Sequence, residues 1–280
     1  MSMEIKEIDL KRLQPGGDLR PAFEALHRQD WLDQGIHRWL TLVDPQGPWP
    51  VVVLGAEQDR GLLGTIVGVW AQQPVERFDD LLEGRCPQGY QGADRPRGGS
   101  WHFVAVTTDP QRRQLALGRP LLAAALAWVQ RLPGAEMRTL SPAVGLQDAL
   151  EKLPPSADFQ GQVRRILLRL ARTDGAAQLA ILGLHPAQGA QLEKILWQSR
   201  ADEKRSAQVT LRFKYRLDDA ERAQQQQAYR DWLEARRQCI AQGQAKQAEL
   251  PERWWLPDHP EQAGLNGQPA WRDDLIFLDL

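Results

Sequence analysis

Residues 101–131 read WHFVAVTTDPQRRQLALGRPLLAAALAWVQR. Three patterns follow one another in that stretch. Trp101 to Thr107 is a short run of aromatic and β-branched residues, which predicts a strand. Arg119 to Arg131 is apolar and alanine-rich and predicts a helix; Pro120 falls in its first turn, where a missing N–H costs nothing. Between them, Arg113-Gln114-Leu115-Ala116-Leu117-Gly118 forms a strand-to-helix turn. The N–H groups that open a helix lack intrahelical acceptors and carry partial positive charge, so such a turn suits a phosphate. The small residues Ala116 and Gly118 let an anion approach the backbone. Arg112, Arg113 and Arg119 add charge around the same point.

Working upstream, Pro21 to Trp39 mixes apolar and charged residues at helical spacing and reads as one or two helices. Pro45, Gly47, Pro48 and Pro50 break the chain before Val51 to Leu54, an apolar strand. Gly55 to Gly61 reads as a hairpin turn, and Leu62 to Trp70 as the returning strand. Arg85 to Ser100, rich in Gly, Pro and Arg, reads as a loop. Downstream, Met137 to Leu140 is a short strand closed by Ser141-Pro142. Leu146 to Leu153 and Gln160 to Arg172 are helical in pattern. From Ala207 to Tyr215, apolar Ala207, Val209, Leu211, Phe213 and Tyr215 alternate with polar residues, the signature of a half-buried strand. Asp218 to Glu249 reads as a long polar helix, followed by a Trp/Pro-rich tail. The expected division is a domain over 1–217, with 218–280 as an extension packed on it.

The 280 residues carry a net charge of -1, which argues against a general nucleic-acid binder. No apolar run approaches the roughly 20 residues of a membrane span, and the charged N-terminus lacks a signal-peptide centre. The 2 cysteines, Cys86 and Cys239, are far apart and have no metal-ligand spacing, so no metal is expected and a reducing cytoplasm is the simplest setting. A dinucleotide fold is disfavoured because no G-x-G-x-x-G occurs, and a P-loop because no Gly-Lys-Ser/Thr occurs.

The spacing R-x-x-A-x-G, with a strand before it and an apolar helix after it, resembles the acyl-CoA pyrophosphate loop of the GNAT acyltransferase superfamily. The usual form is R/Q-x-x-G-x-G/A, so Ala116 stands where glycine is common. Further motifs narrow the resemblance. Thr139-Leu140-Ser141-Pro142-Ala143-Val144-Gly145-Leu146 is similar to the "LSP…G" strand end of malonyl-CoA decarboxylases. Leu184-His185-Pro186-Ala187-Gln188-Gly189-Ala190 resembles their His-x-x-Asn-Gly-Ala, and the His-x-x-x-Gly-Ala of GNAT-like decarboxylase domains in polyketide loading modules. Ser199-Arg200-Ala201-Asp202 is similar to the "YRPED" of those loading domains. The resemblance covers residues 18 to 217 in short motifs. Gln188 replaces the asparagine of malonyl-CoA decarboxylases, and Gln73 an arginine of the loading domains.

The resemblance implies an α/β (α+β) GNAT fold, a mixed, mostly antiparallel sheet flanked by helices. It implies a malonyl- or methylmalonyl-type thioester as substrate, carried by coenzyme A or by the phosphopantetheine of an acyl carrier protein. The reaction implied is decarboxylation, with S-acyl transfer to a carrier as a further step. Ser141, His185 and Arg200 would be the catalytic residues: Ser141 as a hydrogen-bond donor, His185 orienting the carboxylate or supplying a proton, Arg200 attracting the carboxylate. Arg113, Gln114, Leu115, Ala116, Leu117, Gly118 and Arg119 would hold the pyrophosphate. Plainer readings stand beside these. A histidine beside a glycine is often structural, Ser-Pro commonly just ends a strand, and Arg200 could pair with Asp202 or Glu203 on a solvated face. An acyl-CoA N-acyltransferase and a non-catalytic binding module with the same fold are the competing functions.

Overall fold

The structure, a computed structural model, describes residues 3–28, 43–44, 50–58, 61–72, 74, 98–109, 111, 115–142, 184–198, 208–242 and 276–279. Contacts divide the chain into two units, Met1–Leu140 and Ser141–Leu280.

The first unit is built on strands β1 (Glu4–Glu7), β2 (Val51–Gln58), β3 (Gly61–Ala71), β4 (Ser100–Thr108) and the greater part of β5 (Glu136–Pro142). The pairs β1–β2, β2–β3 and β3–β4 are antiparallel, and β4–β5 is parallel. Helices α1 (Arg20–Arg28) and α2 (Gly118–Gln130) lie against this sheet. β3 is buried along almost its whole length because both of its faces are covered, which explains its unbroken apolar sequence. An ideal Cβ on Gly64 would lie 3.2 Å from Leu121 of α2. The next residue, Thr65, turns the other way, and its hydroxyl is 3.0 Å from Nε2 of His27 on α1. Thr107, the β4 partner of Thr65, reaches Nδ1 of the same ring at 3.5 Å. His27 is buried, and its ring lies tilted against Phe23 with the centroids 4.2 Å apart. Burial lowers its pKa to about 4, so the ring is neutral near pH 7.

α2 buries Leu121, Leu122, Ala125, Leu126, Trp128 and Val129. Trp128 meets Trp101 of β4 edge to face at 4.6 Å and donates its indole N–H to Glu7 of β1 at 2.9 Å.

β4 is not regular. Val67 pairs with Ala105 and Gly68 with Phe103, which leaves Val104 as an extra residue, a β-bulge. The parallel pairing with β5 ends at Phe103↔Thr139, although both strands continue. The strands therefore part company at the bulge.

The second unit contains β6 (Ala190–Gln198), β7 (Gln208–Tyr215), β8 (Ile276–Asp279) and helix α3 (Asp219–Ala241). β6 pairs antiparallel with both β7 and β8. The polar helix thus has close company, lying against the turn after His185, and the tail supplies a strand that pairs with β6.

Several sequence expectations need correction. Gly55 to Gly61 is not a hairpin turn: β2 runs on to Gln58, and Gln58↔Gly61 closes the hairpin. Gly55 looked like a breaker but lies within the strand, where Ile8 crosses it; a Cβ there would lie 2.3 Å from the Ile8 side chain. β1, β6 and β8 carry no clean alternation and were not expected. The expected helices at Leu146 to Leu153 and Gln160 to Arg172, and most of the loop at Arg85 to Ser100, lie outside the described residues.

Candidate active site

Ser141 stands at the end of β5, and His185 immediately precedes a short 3-10 turn, Pro186–Gln188. Proline opens that turn, and the N–H groups of Gln188 and Ala190 both donate to the carbonyl of His185, at 2.9 and 3.1 Å. Gly189 closes it with φ +80°, a conformation that costs glycine little and other residues about 1 kcal/mol or more. The reversal sends the chain into β6, whose first residue, Ala190, pairs with Tyr215, the last of β7. That register puts the phenol beside the imidazole.

The result is a short hydrogen-bonded chain. Ser141 Oγ lies 2.7 Å from His185 Nε2, and Tyr215 Oη lies 2.7 Å from His185 Nδ1. Phe213 stacks on the ring at 4.5 Å. His185, Phe213 and Tyr215 are all buried, and Ser141 is half-buried. Burial lowers the pKa of His185 to about 3, so the imidazole is neutral, with one N–H and one lone pair. Burial also raises the pKa of Tyr215, which keeps its phenol protonated.

Hydrogen-bond accounting assigns the tautomer. Among the described residues the Tyr215 hydroxyl has one partner, Nδ1 of His185. Were Nδ1 to carry the proton, the phenolic O–H would be left buried without an acceptor, at a cost of about 1–3 kcal/mol. The phenol therefore donates to Nδ1, and Nε2 carries the N–H and donates it to Ser141 Oγ. Ser141 is left with its own O–H to give to a ligand. An imidazole in this state cannot act as a base towards Ser141, because its lone pair is taken up by the phenol.

Of the residues expected to hold a pyrophosphate, Leu115 to Arg119 are described; Arg113, Gln114 and the expected catalytic Arg200 lie outside the described residues, as does Gln73. Gly118 opens α2, Leu117 provides no side-chain cap, and no acidic residue stands in the first turn. Leu115, Ala116 and Arg119 are exposed, and a Cβ on Gly118 would meet nothing within 4 Å. Ala116 has φ +47°, the left-handed conformation that glycine would adopt at its position. The alanine is accommodated with backbone strain. This loop belongs to the first unit, and Ser141, His185 and Tyr215 belong to the second.

Gly189 has no open space where its side chain would stand. An ideal Cβ there would lie 2.2 Å from Cγ of Arg222 on α3. Tyr215 is not among the residues that the sequence singles out, yet the structure sets it against His185. Its place on the buried face of an alternating strand was the available signal, since a buried phenol requires a hydrogen-bond partner.

No family model matches the chain, and no curated protein matches it. Solved structures do. Malonyl-CoA decarboxylase from Rhodopseudomonas palustris is 18% identical, with a TM-score of 0.50, over 82% of this chain and 63% of that one. Malonyl-CoA decarboxylase from Cupriavidus metallidurans is 16% identical, with a TM-score of 0.51, over 80% of this chain and 64% of that one. The chain thus spans less than two thirds of the length of either. With its mixed, mostly antiparallel sheet flanked by helices, the chain has the GNAT fold.

Proposed function

We propose, taking the GNAT fold as premise, that this protein is an acyl-CoA enzyme that decarboxylates a malonyl-type thioester. The observation that carries the reading is the directed chain Tyr215–His185–Ser141, which ends in a hydroxyl with a hydrogen to give. Loss of carbon dioxide breaks the bond from the α-carbon to the carboxylate, and the electron pair passes into an enolate centred on the thioester oxygen. A donor held in place before the charge develops stabilises that oxygen. Ser141 is that donor. His185 orients it through Nε2–H, and Tyr215 orients His185. The neutral imidazole has committed its one N–H to Ser141, so its role is to orient, and the proton that quenches the carbanion comes from solvent.

Two further features support the reading. The separation of β4 from β5 past Phe103 leaves strand backbone available to the amide-bearing arm of a pantetheine thioester. The uncapped start of α2 suits the pyrophosphate of coenzyme A. Two proteins of similar fold are named malonyl-CoA decarboxylases. Transfer of the acyl group to a carrier protein would be a later step on the same arm. An amine acyltransferase, by contrast, would draw its general base from a Glu or Asp near the strand end and leave His185 structural.

Malonyl-, methylmalonyl- and acetyl-CoA, each with and without a phosphopantetheinylated carrier protein, provide the test by mass spectrometry. Decarboxylated thioester and carbon dioxide are expected from a malonyl-type substrate, and Ser141→Ala should lower the rate about a hundredfold. Absence of product from every substrate, or turnover of acetyl-CoA with an amine that survives His185→Ala, would overturn the reading.

A further inference from the structure

We propose that Arg222, in the polar C-terminal helix, is the positioning residue that fixes the geometry of the His185–Tyr215 pair. Its stem fills the space that Gly189 leaves open: a Cβ on Gly189 would meet Arg222 Cγ at 2.2 Å and the Arg222 carbonyl oxygen at 3.2 Å. Gly189 ends the turn that begins at His185, so the arginine bears on the backbone that carries the imidazole. The guanidinium reaches the other half of the pair. Its Nη1 donates to the carbonyls of Leu217 at 3.3 Å and Arg216 at 3.5 Å, the two residues that directly follow Tyr215. Arg216 N–H in turn donates to the Gly189 carbonyl at 3.4 Å.

The side chain is itself held. Nη2 is paired with Asp219, one turn earlier on α3, and the arginine side chain is only 17% exposed. The helix start is fixed by Asp218, whose carboxylate accepts from the N–H groups of Ala220 and Glu221, both at 2.9 Å. One side chain thus touches the segment that ends β7 and the segment that leaves His185. Substitution at Arg222 should therefore move the phenol relative to Nδ1, loosen the tautomer and leave Ser141 less firmly oriented. A planar fork that serves two carbonyls and a carboxylate at once is something lysine reproduces only in part.

The experiment uses the full chain with 15N-labelled histidine, the His185 signals being assigned by comparison with His185→Gln. In the wild type Nδ1 should resonate as a hydrogen-bonded acceptor and Nε2–H should exchange slowly. Arg222→Met keeps much of the stem and removes the guanidinium. It should shift the Nδ1 signal, speed Nε2–H exchange and lower kcat about tenfold with KM little changed. Arg222→Lys should recover part of both effects. Wild-type spectra in the Met variant, a loss confined to KM, or a lysine variant no better than methionine would overturn the proposal. Should the Met variant fail to fold, Asp219→Asn, which frees the guanidinium from its carboxylate, must shift the same two signals; unchanged signals there overturn it as well. The kinetic arm rests on the decarboxylase reading, but the spectroscopic arm does not. An inactive wild type therefore counts against the reaction, and unmoved histidine signals count against Arg222.

Discussion

Two of the buried histidines, His27 and His185, make acid sensitivity a property of single residues. His27 has a folded pKa of about 4 and His185 of about 3, both below the ordinary value of 6.5. The unfolded chain therefore binds protons that the native chain does not as pH falls below 6.5. Stability from this source is complete above that pH and is lost on acidification down to the folded values. Each histidine should cost about 1.4 kcal/mol per pH unit across its window. Thermal melts between pH 7 and 4 would measure the slope, and His27→Gln should flatten it; an unchanged slope would count against burial as the cause. At the same scale, Tyr215→Phe removes the donor that sets the tautomer of His185. With proton and lone pair free to exchange between the ring nitrogens, kcat should fall on the order of tenfold while KM holds, as steady-state kinetics would show. Ser141 and His185 stand out in the sequence as candidates because short motifs mark them, and the structure brings the two together. Tyr215 does not, because its place beside His185 depends on a register, Ala190↔Tyr215, that joins residues from different motifs.

Among the elements, the opening of α2 is under visible strain. Ala116 at φ +47° pays the Cβ penalty of the left-handed region, about 1–2 kcal/mol. Glycine would remove that penalty but adds about 0.4–1 kcal/mol of unfolded-state entropy. Ala116→Gly should therefore stabilise the protein by about 0.5 kcal/mol, read from the denaturant midpoint at constant m-value. A destabilised variant would mean that the alanine methyl has a packing role. The strand–turn–helix at residues 101–131 was plain in the sequence because an apolar run, a small-residue turn and an alanine-rich segment each obey a separate rule. Composition alone ends β2 at Leu54 because Gly55 registers as a breaker, whereas the structure uses its missing side chain to admit Ile8. The short strands β1 and β8 give too few residues for period-2 alternation to show.

For the molecule as a whole, the sequence-based GNAT resemblance and the observed fold agree, although identity to the two decarboxylases is only 18% and 16%. Agreement at that distance has a physical basis. A GNAT sheet requires a few features in order, namely a central strand covered on both faces, a small-residue turn and an apolar helix, and many sequences satisfy them. The catalytic reading draws on finer detail, and Arg113, Gln114 and Arg200 rest on the motifs alone. The bulge in β4 offers a way to separate fold from function. Val104 is the one residue of that strand without a β3 partner, and the pairs on either side of it, Phe103↔Gly68 and Ala105↔Val67, are already consecutive on β3. Excising Val104 would leave Thr107 opposite Thr65 and Val106 opposite Ile66, so the cross-strand partners survive. With the kink gone, β4 should zip to β5 beyond Thr139. Because Val104 is buried, the shortened chain should melt below the parent, and, if it still folds, it should be indifferent to coenzyme A by calorimetry while differing from the parent by a single amino acid.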